Sequence, residues 1–333
     1  MLKVPVLAKK NKLKRLAVLT SGGDAPGMNA AIRSVVRYGL YHDCEVFGIS
    51  KGYSGLLEEK LKKLNASSVA NILQRGGTIL KSSRCPAFRK SSNRKLANHI
   101  LRDYGIEALV VIGGNGSFHG AHLFQKENRF PTIGIPGTID NDIPDCDESI
   151  GFDTAINTAL EAIDRIRDTA SAHEHLFLVE VMGRSCGIIA TQVGMSGGAE
   201  TIVTPEHQPS ITEICKTINH GQSRGKMSSI IVVSESKTPG MATRIANRLE
   251  KKGYHPRVCT LGHIQRGGSP SARDRYLAST LGASAISYLM SGKSHGMVAV
   301  EKNTIRFVPF KNIIKRSKEL PSEVISLSQI LAT

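Results

Sequence analysis

Short apolar runs alternate along this chain with longer segments in which apolar residues recur every three or four positions. The runs predict buried strands at 15–20, 45–49, 108–112, 132–135, 176–181, 230–233 and 258–261. The periodic segments predict helices at 28–41, 93–104, 117–126, 153–171, 211–220, 241–252 and 272–290, with Asn93 as the cap of the second. Repeated strand–helix units of this kind favour an α/β fold with a doubly wound, mostly parallel sheet in each half of the chain.

Glycine-rich loops follow two of the predicted strands, at residues 21–27 and 113–117, and each leads into a predicted helix. A glycine loop between a strand and a helix lets backbone N–H groups approach a phosphate at the helix N-terminus. Neither loop has the spacing of a dinucleotide fingerprint or of a P-loop. Each loop alone is a weak signal, and the two together predict a site for a phosphorylated ligand.

The loop after the strand at 132–135 reads PGTIDND and carries a hydroxyl at Thr138 and carboxylates at Asp140 and Asp142. Ligands of open α/β sheets bind beyond the carboxyl ends of the strands. A hydroxyl and two carboxylates suit a general base and a metal or phosphate contact. In isolation the same residues are equally typical of an Asx-rich turn without function. The two glycine loops favour the functional interpretation.

Composition is typical of a globular protein. The 333 residues are enough for two domains, and 40% of them are hydrophobic and 22% charged. No run approaches the ~18 apolar residues of a membrane span, and the N-terminal segment lacks the apolar region of a signal peptide. The six cysteines show no CxxC or zinc-ligand spacing. We therefore expect a cytoplasmic protein with no disulfide framework, structural metal or membrane partner.

The formal net charge of +16 would attract polyanions. A basic tail is suggested only by the cluster Lys9, Lys10, Lys12, Lys14 and Arg15. Most other basic residues are spread through periodic segments or lie in glycine-rich loops, and aromatic residues, at 5% of the chain, form no stripe between them. We expect multiply phosphorylated small ligands, and no nucleic acid, as partners.

Five blocks of sequence carry a resemblance to a known family. They read LTSGGDAPGMNAAIR, VVIGGNGS, GIPGTIDND, VEVMGRSCG and LGHIQRGGSP, in this order, within a region from about Leu13 to about Gly292. In these blocks the chain resembles the bacterial ATP-dependent 6-phosphofructokinases. The resemblance implies transfer of the γ-phosphoryl group of ATP to the 1-hydroxyl of fructose 6-phosphate, with Mg²⁺, in an allosteric homotetramer of glycolysis. It also implies a nucleotide-binding domain at 1–149 and 264–313 and a sugar-phosphate-binding domain at 150–263 and 314–333.

The same resemblance implies roles for individual residues. Asp140 would be the catalytic base, Thr138 would shape its surroundings, and Arg184 would offer charge to the transferred group. The implied nucleotide-binding positions are Gly23, Tyr53, Arg84, Cys85, Gly114, Asn115, Gly116 and Ser117. The implied substrate-binding positions are Thr138, Asp140, Asp142, Met182, Gly183, Arg184, Glu235, His263 and Arg266, joined by His175 and Arg257 from a neighbouring subunit. The implied effector positions are Arg33, Arg37, Arg167, Glu200, Arg224 and Lys226, and the implied metal positions are Asn115 and Asp142.

Three departures from the family pattern bear on function. Asn115 stands where the family has an Asp that holds Mg²⁺, and an amide oxygen is a weaker ligand for this ion than a carboxylate. His175 stands where the family has an Arg, although a histidine is only partly charged at neutral pH and is not a bidentate donor. Ala66 and Asn71 stand where the effector site usually has an Arg and an Asp.

Two alternatives follow from the sequence. The departures leave open a weakly active or inactive regulatory homologue that binds sugar phosphate and nucleotide. A pyrophosphate-dependent enzyme is the other alternative, but such relatives typically carry an Asp at the position of Gly116 and a Lys at that of Gly137. Glycine at both positions therefore favours ATP as the donor.

Overall fold

The computed structural model describes residue 2 and residues 13–173, 175–184, 186–226, 228–236 and 238–331. Lys9, Lys10 and Lys12 of the basic N-terminal cluster lie outside the described residues. The chain divides into two compact units, the first made of Met1–Asp153 and Arg266–Ser317 and the second of Thr154–Gln265 and Lys318–Thr333. Among the described residues, no helix combines the length and the apolar character that crossing a membrane requires.

Strands and helices alternate along most of the described chain. In order they are β1 (Arg15–Ser21), α1 (Met28–Tyr41), β2 (Glu45–Ile49), α2 (Gly52–Leu57), β3 (Leu61–Leu64), α3 (Ser91–Asp103), β4 (Ala108–Gly113), α4 (Asn115–Asn128), β5 (Thr132–Pro136), α5 (Phe152–His173), β6 (Leu176–Val181), α6 (Ile188–Ser196), β7 (Thr201–Val203), α7 (Ile211–Ser223), β8 (Ser229–Ser234), α8 (Met241–Glu250), β9 (Pro256–Thr260), α9 (Ala272–Met290), β10 (Gly296–Glu301), β11 (Thr304–Pro309), α10 (Phe310–Ile313) and α11 (Ser322–Leu331). The predicted α/β class with mainly parallel sheets is confirmed.

The first unit is built on a seven-stranded sheet in the order β11-β10-β5-β4-β1-β2-β3. Its central strands are parallel, and every residue of β4 and β5 is buried, as their continuous apolar sequences require. The strands at the two edges, β3 and β11, run antiparallel to their neighbours. The sequence analysis did not predict β3, β10 or β11.

The second unit has a four-stranded parallel sheet in the order β7-β8-β6-β9. Its core is formed by buried aliphatic residues of β6 and β8 packed against those of α7 and α8. Helix α6, which was not predicted, reads IIATQVGMS and has no polar face, so it lacks the periodicity that identifies a surface helix.

One predicted helix start is wrong. Helix α3 begins at Ser91, after Lys90, and has no side-chain cap. Asn93 lies inside its first turn, and its Nδ2 donates instead to the carbonyl oxygen of Ala87 at 2.9 Å. Asn93 therefore donates to the preceding turn at Pro86–Arg89, whereas a cap would accept a hydrogen bond from a helix N–H. Helix α7 does have a side-chain cap, because Ser210 and Glu213 form a reciprocal capping box.

Candidate functional site

Three loops of the first unit leave the same edge of its sheet side by side. Strands β1, β4 and β5 are parallel neighbours, with Ser21 opposite Gly113 and Gly113 opposite Pro136. The two glycine loops and the loop at 137–142 begin at these paired residues. The carboxyl edge of the sheet thus gathers the loops that the sequence analysis identified one by one.

The first glycine loop packs against an arginine. Arg266 is 9% exposed, and its Nη1 donates to the carbonyl oxygen of Asp24 at 3.1 Å. A Cβ atom on Gly23 would lie 2.5 Å from this Nη1, so a larger residue there would displace the end of the Arg266 side chain. Arg266, expected at the sugar phosphate, therefore lies in the first unit against residues expected at the nucleotide.

The second glycine loop leads into the first turn of α4. Ser117 is buried, and its Oγ donates to the carbonyl oxygen of Ser21 at 2.9 Å, which joins the two glycine loops. Gly114 is the N-cap residue of α4. Gly116 is exposed, and a Cβ atom placed on it would have no neighbour within 4 Å. A phosphate can therefore approach the backbone at this helix start, where the helix dipole favours an anion.

The segment that carries Arg84 and Cys85 is held against the first glycine loop. The hydroxyl of Ser82 donates to the carbonyl oxygen of Gly22 at 2.7 Å, and the N–H of Gly22 donates to the carbonyl oxygen of Ser83 at 3.3 Å. Arg84 is exposed and Cys85 is half-buried, so both are accessible to a ligand at this edge. The structure thus brings these two predicted nucleotide-binding residues beside the first glycine loop.

Tyr53, another predicted nucleotide-binding residue, lies inside the unit and is only 4% exposed. Its hydroxyl donates to the carbonyl oxygen of Ser117 at 2.8 Å, and its ring stacks on that of Phe88 with centroids 4.0 Å apart. Burial raises the pKa of Tyr53, which keeps its hydroxyl protonated and able to donate. Tyr53 therefore supports the second glycine loop from within the fold.

The loop after β5 places Asp140 in a largely buried position. Thr138 is 8% exposed and Asp140 5% exposed. The Oγ1 of Thr138 accepts a hydrogen bond from the N–H of Asp140 at 3.2 Å. Gly114 lies close by, since a Cβ atom on it would be 3.4 Å from the Cβ of Thr138. A carboxylate fixed at the ligand edge of the sheet, with little water around it, has the surroundings of a general base.

The sequence analysis missed the side chain that fixes this loop, Asn141. Asn141 is 4% exposed and has a left-handed backbone, with φ of 49°. Its Nδ2 donates to the carbonyl oxygen of Asp147 at 3.0 Å, and its Oδ1 accepts from the N–H of Ser149 at 3.1 Å. The hydroxyl of Ser149 also donates to the carbonyl oxygen of Thr138 at 2.7 Å. The available signal was the residue type, because Asn tolerates left-handed backbone better than most residues.

Asn115 and Asp142 are neighbours, as a shared metal site would require. The Nδ2 of Asn115 donates to the carbonyl oxygen of Asp142 at 3.2 Å. Among the described residues, no group of three or more His, Cys, Asp or Glu side chains could hold a metal ion. The two residues offer an amide oxygen and a carboxylate, which are the hard donors that Mg²⁺ accepts alongside phosphate oxygens and water. They fit a metal that a bound triphosphate holds with them.

The second unit gathers its own predicted residues at the carboxyl edge of its sheet. Met182 follows β6 and Glu235 follows β8, and these parallel strands end with Val181 opposite Ser234. The N–H of Met182 donates to the Oε1 of the fully buried Gln265 at 2.8 Å. Gly183, Arg184 and His263 belong to segments that leave the same edge. Gly183 and Arg184 both have positive φ, 146° and 52°, so the chain turns sharply there.

His175 and Arg257 lie at the opposite edge of that sheet. His175 precedes the first residue of β6, and Arg257, near the start of β9, pairs with Phe177. In parallel strands the amino ends form one edge and the carboxyl ends the other, so one chain does not bring these two residues to Met182 and Glu235. Their expected role in a neighbouring subunit stays a prediction.

The chain is similar to known proteins over most of its length. A model described as Phosphofructokinase matches residues 15–289. The chain belongs to the phosphofructokinase family. ATP-dependent 6-phosphofructokinases from Thermoanaerobacter sp. (strain X514) and Shouchella clausii are 50% and 49% identical to it over 322 and 321 residues, which cover 96% of this chain and 100% of each relative.

Solved structures of the phosphofructokinase family share the fold. The phosphofructokinase from Saccharomyces cerevisiae is 35% identical with a TM-score of 0.84, and the match covers 95% of this chain and 46% of that one. A pyrophosphate-dependent phosphofructokinase from Marinobacter aquaeolei, 23% identical with a TM-score of 0.82, matches 93% of this chain and 86% of that one. The second likeness bears on the fold alone.

The positions that the phosphofructokinase resemblance implies for an effector occur in both units. Arg33 and Arg37 lie on α1 of the first unit, and burial, with the nearby charge of Arg37, lowers the pKa of Arg33. In the second unit, Glu200, Arg224 and Lys226 line a cleft of about 420 Å³. Lys226 forms an ion pair with the buried Glu200. Arg167 donates to the carbonyl oxygen of Gly198 at 2.9 Å.

Proposed function

We propose that this chain transfers the γ-phosphoryl group of ATP to the 1-hydroxyl of fructose 6-phosphate, giving fructose 1,6-bisphosphate in glycolysis. Its family and the names of full-length bacterial relatives support this reaction. The structural observation that carries the proposal is the meeting of two glycine loops and the Asp140 loop at one edge of the seven-stranded sheet. Phosphoryl transfer needs such positioning, together with a base and groups that neutralise charge.

The proposed acceptor chemistry depends on Asp140. Its carboxylate takes the proton of the 1-hydroxyl as that oxygen attacks the γ-phosphorus. Thr138 holds the backbone of Asp140, and Asp142 lies at the metal side of the loop. Arg184, which is exposed, offers positive charge to the transferred group. Met182, Gly183, Glu235, His263 and Arg266 are the proposed sugar-phosphate contacts within the subunit.

The proposed donor site consists of the two glycine loops with Arg84 and Cys85. The open space at Gly116 supports a triphosphate there, because a side chain would occupy the volume that its inner phosphates need. A Cβ atom on Gly137 would lie 3.0 Å from the Cγ2 of Ile112, so a lysine at that position would also require repacking. Both glycines support ATP over pyrophosphate as the donor.

Mg²⁺ is the proposed cofactor, held by Asn115 and Asp142 together with the phosphates of ATP. Bound there, the ion would neutralise charge on the β- and γ-phosphates. Asn115 would offer its amide oxygen while its amide nitrogen keeps the hydrogen bond to Asp142. Because Asn115 is neutral, we expect the nucleotide to supply most of the charge that binds the metal.

A cytoplasmic homotetramer is the proposed assembly, with His175 and Arg257 of each subunit completing a neighbour's phosphate site. Their position at the amino edge of the second sheet supports this assignment. The effector positions of the two units, Arg33 and Arg37 in one and Arg167, Glu200, Arg224 and Lys226 in the other, would likewise serve an allosteric ligand.

The test is a coupled kinase assay on the purified chain with fructose 6-phosphate. ATP and pyrophosphate are compared as donors, each across a range of Mg²⁺ and Mn²⁺ concentrations. We expect turnover with ATP and none above background with pyrophosphate. Turnover with pyrophosphate alone would identify a different donor. Binding of both substrates without turnover would identify a regulatory homologue instead.

A further inference from the structure

A buried arginine forms an ion pair with a partly exposed glutamate behind the loops of the proposed donor site. Arg94 on α3 is 4% exposed, and its guanidinium reaches Glu127 near the end of α4 through two nitrogens, with Nε 2.7 Å from Oε2. Its third nitrogen, Nη1, donates to the carbonyl oxygens of Phe88 and Arg89, both at 2.7 Å. The Arg94 guanidinium lowers the pKa of Glu127, so the pair is charged at neutral pH.

The two carbonyl groups belong to the turn at Pro86–Arg89, which directly follows Arg84 and Cys85. The donors of a guanidinium are coplanar and rigid. Because Arg94 uses all three nitrogens, it holds the turn at a fixed position relative to Glu127. Arg94 thus fixes the position of the turn that follows Arg84 and Cys85, the two proposed donor-site residues.

The same turn is connected to the second glycine loop. Phe88 stacks on Tyr53 with an interplanar angle of 15°, and the hydroxyl of Tyr53 donates to the carbonyl oxygen of Ser117. Ser117 in turn donates to the carbonyl oxygen of Ser21, where the first glycine loop begins. Buried contacts therefore run from Arg94 to all three segments of the donor site.

We infer that Arg94, paired with Glu127, is a positioning residue that sets the nucleotide-binding loops of this enzyme without contacting the nucleotide. The inference rests on the proposed function, since it concerns how the ATP site is held. The inference separates the ATP site from the site of the acceptor sugar. The loop of Asp140 is fixed by Asn141 and Ser149, whereas the hydrogen bonds of Arg94 go to Glu127 and to the turn at Pro86–Arg89.

The test uses Arg94→Met and Arg94→Lys in the full chain. Arg306→Met is the control, because Arg306 forms an exposed ion pair with Glu301 in the same unit, far along the chain from the donor loops. KM for ATP, KM for fructose 6-phosphate and kcat are measured for each protein, with calorimetric binding of both ligands. Loss of the charge-assisted bonds predicts a rise of about ten-fold or more in KM for ATP for Arg94→Met. The KM for fructose 6-phosphate should change less than about two-fold, and Arg94→Lys should lie between wild type and Arg94→Met.

Unchanged KM for ATP in a folded Arg94→Met protein would overturn the inference, as would an equal loss of affinity for both substrates. If Arg94→Met does not fold, Glu127→Gln decides the matter, because it keeps Arg94 and its two carbonyl bonds and removes the charge of the partner and one of its two acceptor oxygens. A selective rise of a few-fold in KM for ATP is expected for Glu127→Gln, and no rise would again overturn the inference. A wild-type chain that binds no ATP would refute the proposed function itself, which separates the two failures.

Discussion

Replacing Asn115 by aspartate should have two opposing effects on the metal site. The substitution restores the carboxylate that the family pattern has there, beside Asp142. It also removes the hydrogen bond from Nδ2 to the carbonyl oxygen of Asp142, which a carboxylate cannot donate. Comparing the two magnitudes predicts which effect decides the metal requirement.

The lost hydrogen bond is exposed and 3.2 Å long, so its net contribution is at the lower end of about 0.5–1.5 kcal/mol. The gained attraction is larger. A carboxylate and a divalent ion 4 Å apart in water interact by roughly 2 kcal/mol. The new charge also lies at the first residue of α4, where the helix dipole contributes about 0.3–1 kcal/mol in favour of an anion. The balance favours the metal by about 2 kcal/mol, or roughly thirty-fold in affinity.

The assay is initial rate against free Mg²⁺ at saturating ATP and fructose 6-phosphate. We expect Asn115→Asp to lower the half-maximal Mg²⁺ concentration by about ten-fold or more, toward the roughly thirty-fold gain in affinity, and to raise kcat. Asn115→Ala, which loses both the donor and the oxygen ligand, should raise the metal requirement and lower kcat. Asn303→Asp adds the same charge at the β10–β11 turn of the same unit and should match wild type.

Superimposable curves for wild type and Asn115→Asp would refute the reasoning, because they would show that this position does not serve the metal. A lower kcat with an unchanged Mg²⁺ requirement would show that the hydrogen bond to the Asp142 carbonyl is the only contribution of Asn115.

Further predictions address the base, the loop, the donor and the effector. Asp140→Asn should lower kcat by ~10²–10⁴-fold and leave calorimetric fructose 6-phosphate binding nearly intact, and near wild-type kcat would contradict the assignment. Asn141→Ala should lower kcat and the unfolding temperature together, because it strands the buried N–H of Ser149; an unchanged temperature would argue against this. Gly116→Asp should fold normally and raise KM for ATP strongly, which intact ATP kinetics would disprove. Because Ala66 and Asn71 lack the usual side chains, ADP should affect the kinetics weakly, and sigmoidal kinetics reversed by sub-millimolar ADP would count against that.

The parts of the fold predicted from sequence are those with a strong local signal. Strand β4 is buried at every residue, and its continuous apolar run identified it directly. Strand β3 reads LKKL, with two exposed lysines at the edge of the sheet, and so offers no apolar run. Helix α6 was missed for the opposite reason, because a helix without a polar face shows no periodic alternation of apolar and polar residues. The local pattern thus identified the half-buried helices and the central strands, and it missed an exposed edge strand and a helix without a polar face.

The candidate site also has features that the sequence marks locally and features that it does not. The loop carrying Asp140 and the two glycine loops were recognisable because residue types mark them. Their meeting at one edge follows from strand order, which pairs β1 with β4 and β4 with β5. The burial of Tyr53 and the contact of Arg266 with Gly23 depend on residues far apart in the chain, which no local pattern encodes.

The order of strands in the first unit has a consequence for how the protein is made. Strand β5 lies inside the finished sheet, paired with β4 on one side and with β10 on the other. Its partner residue at Gly296 is synthesised about 160 residues after Ile133. At ~5–20 residues per second, the ribosome needs on the order of ten to thirty seconds to add that length.

For most of that interval the nascent chain has neither β10 nor a complete α9. An apolar strand is left as a sheet edge, and the face of α1 that packs on α9 is uncovered, including the hydroxyl of Ser34 that donates to the Ser279 carbonyl oxygen. Exposed edges and apolar faces of this kind promote association between unfinished chains. Productive folding of this enzyme in the cell should therefore depend on translation speed and chaperone supply more than its native stability would suggest.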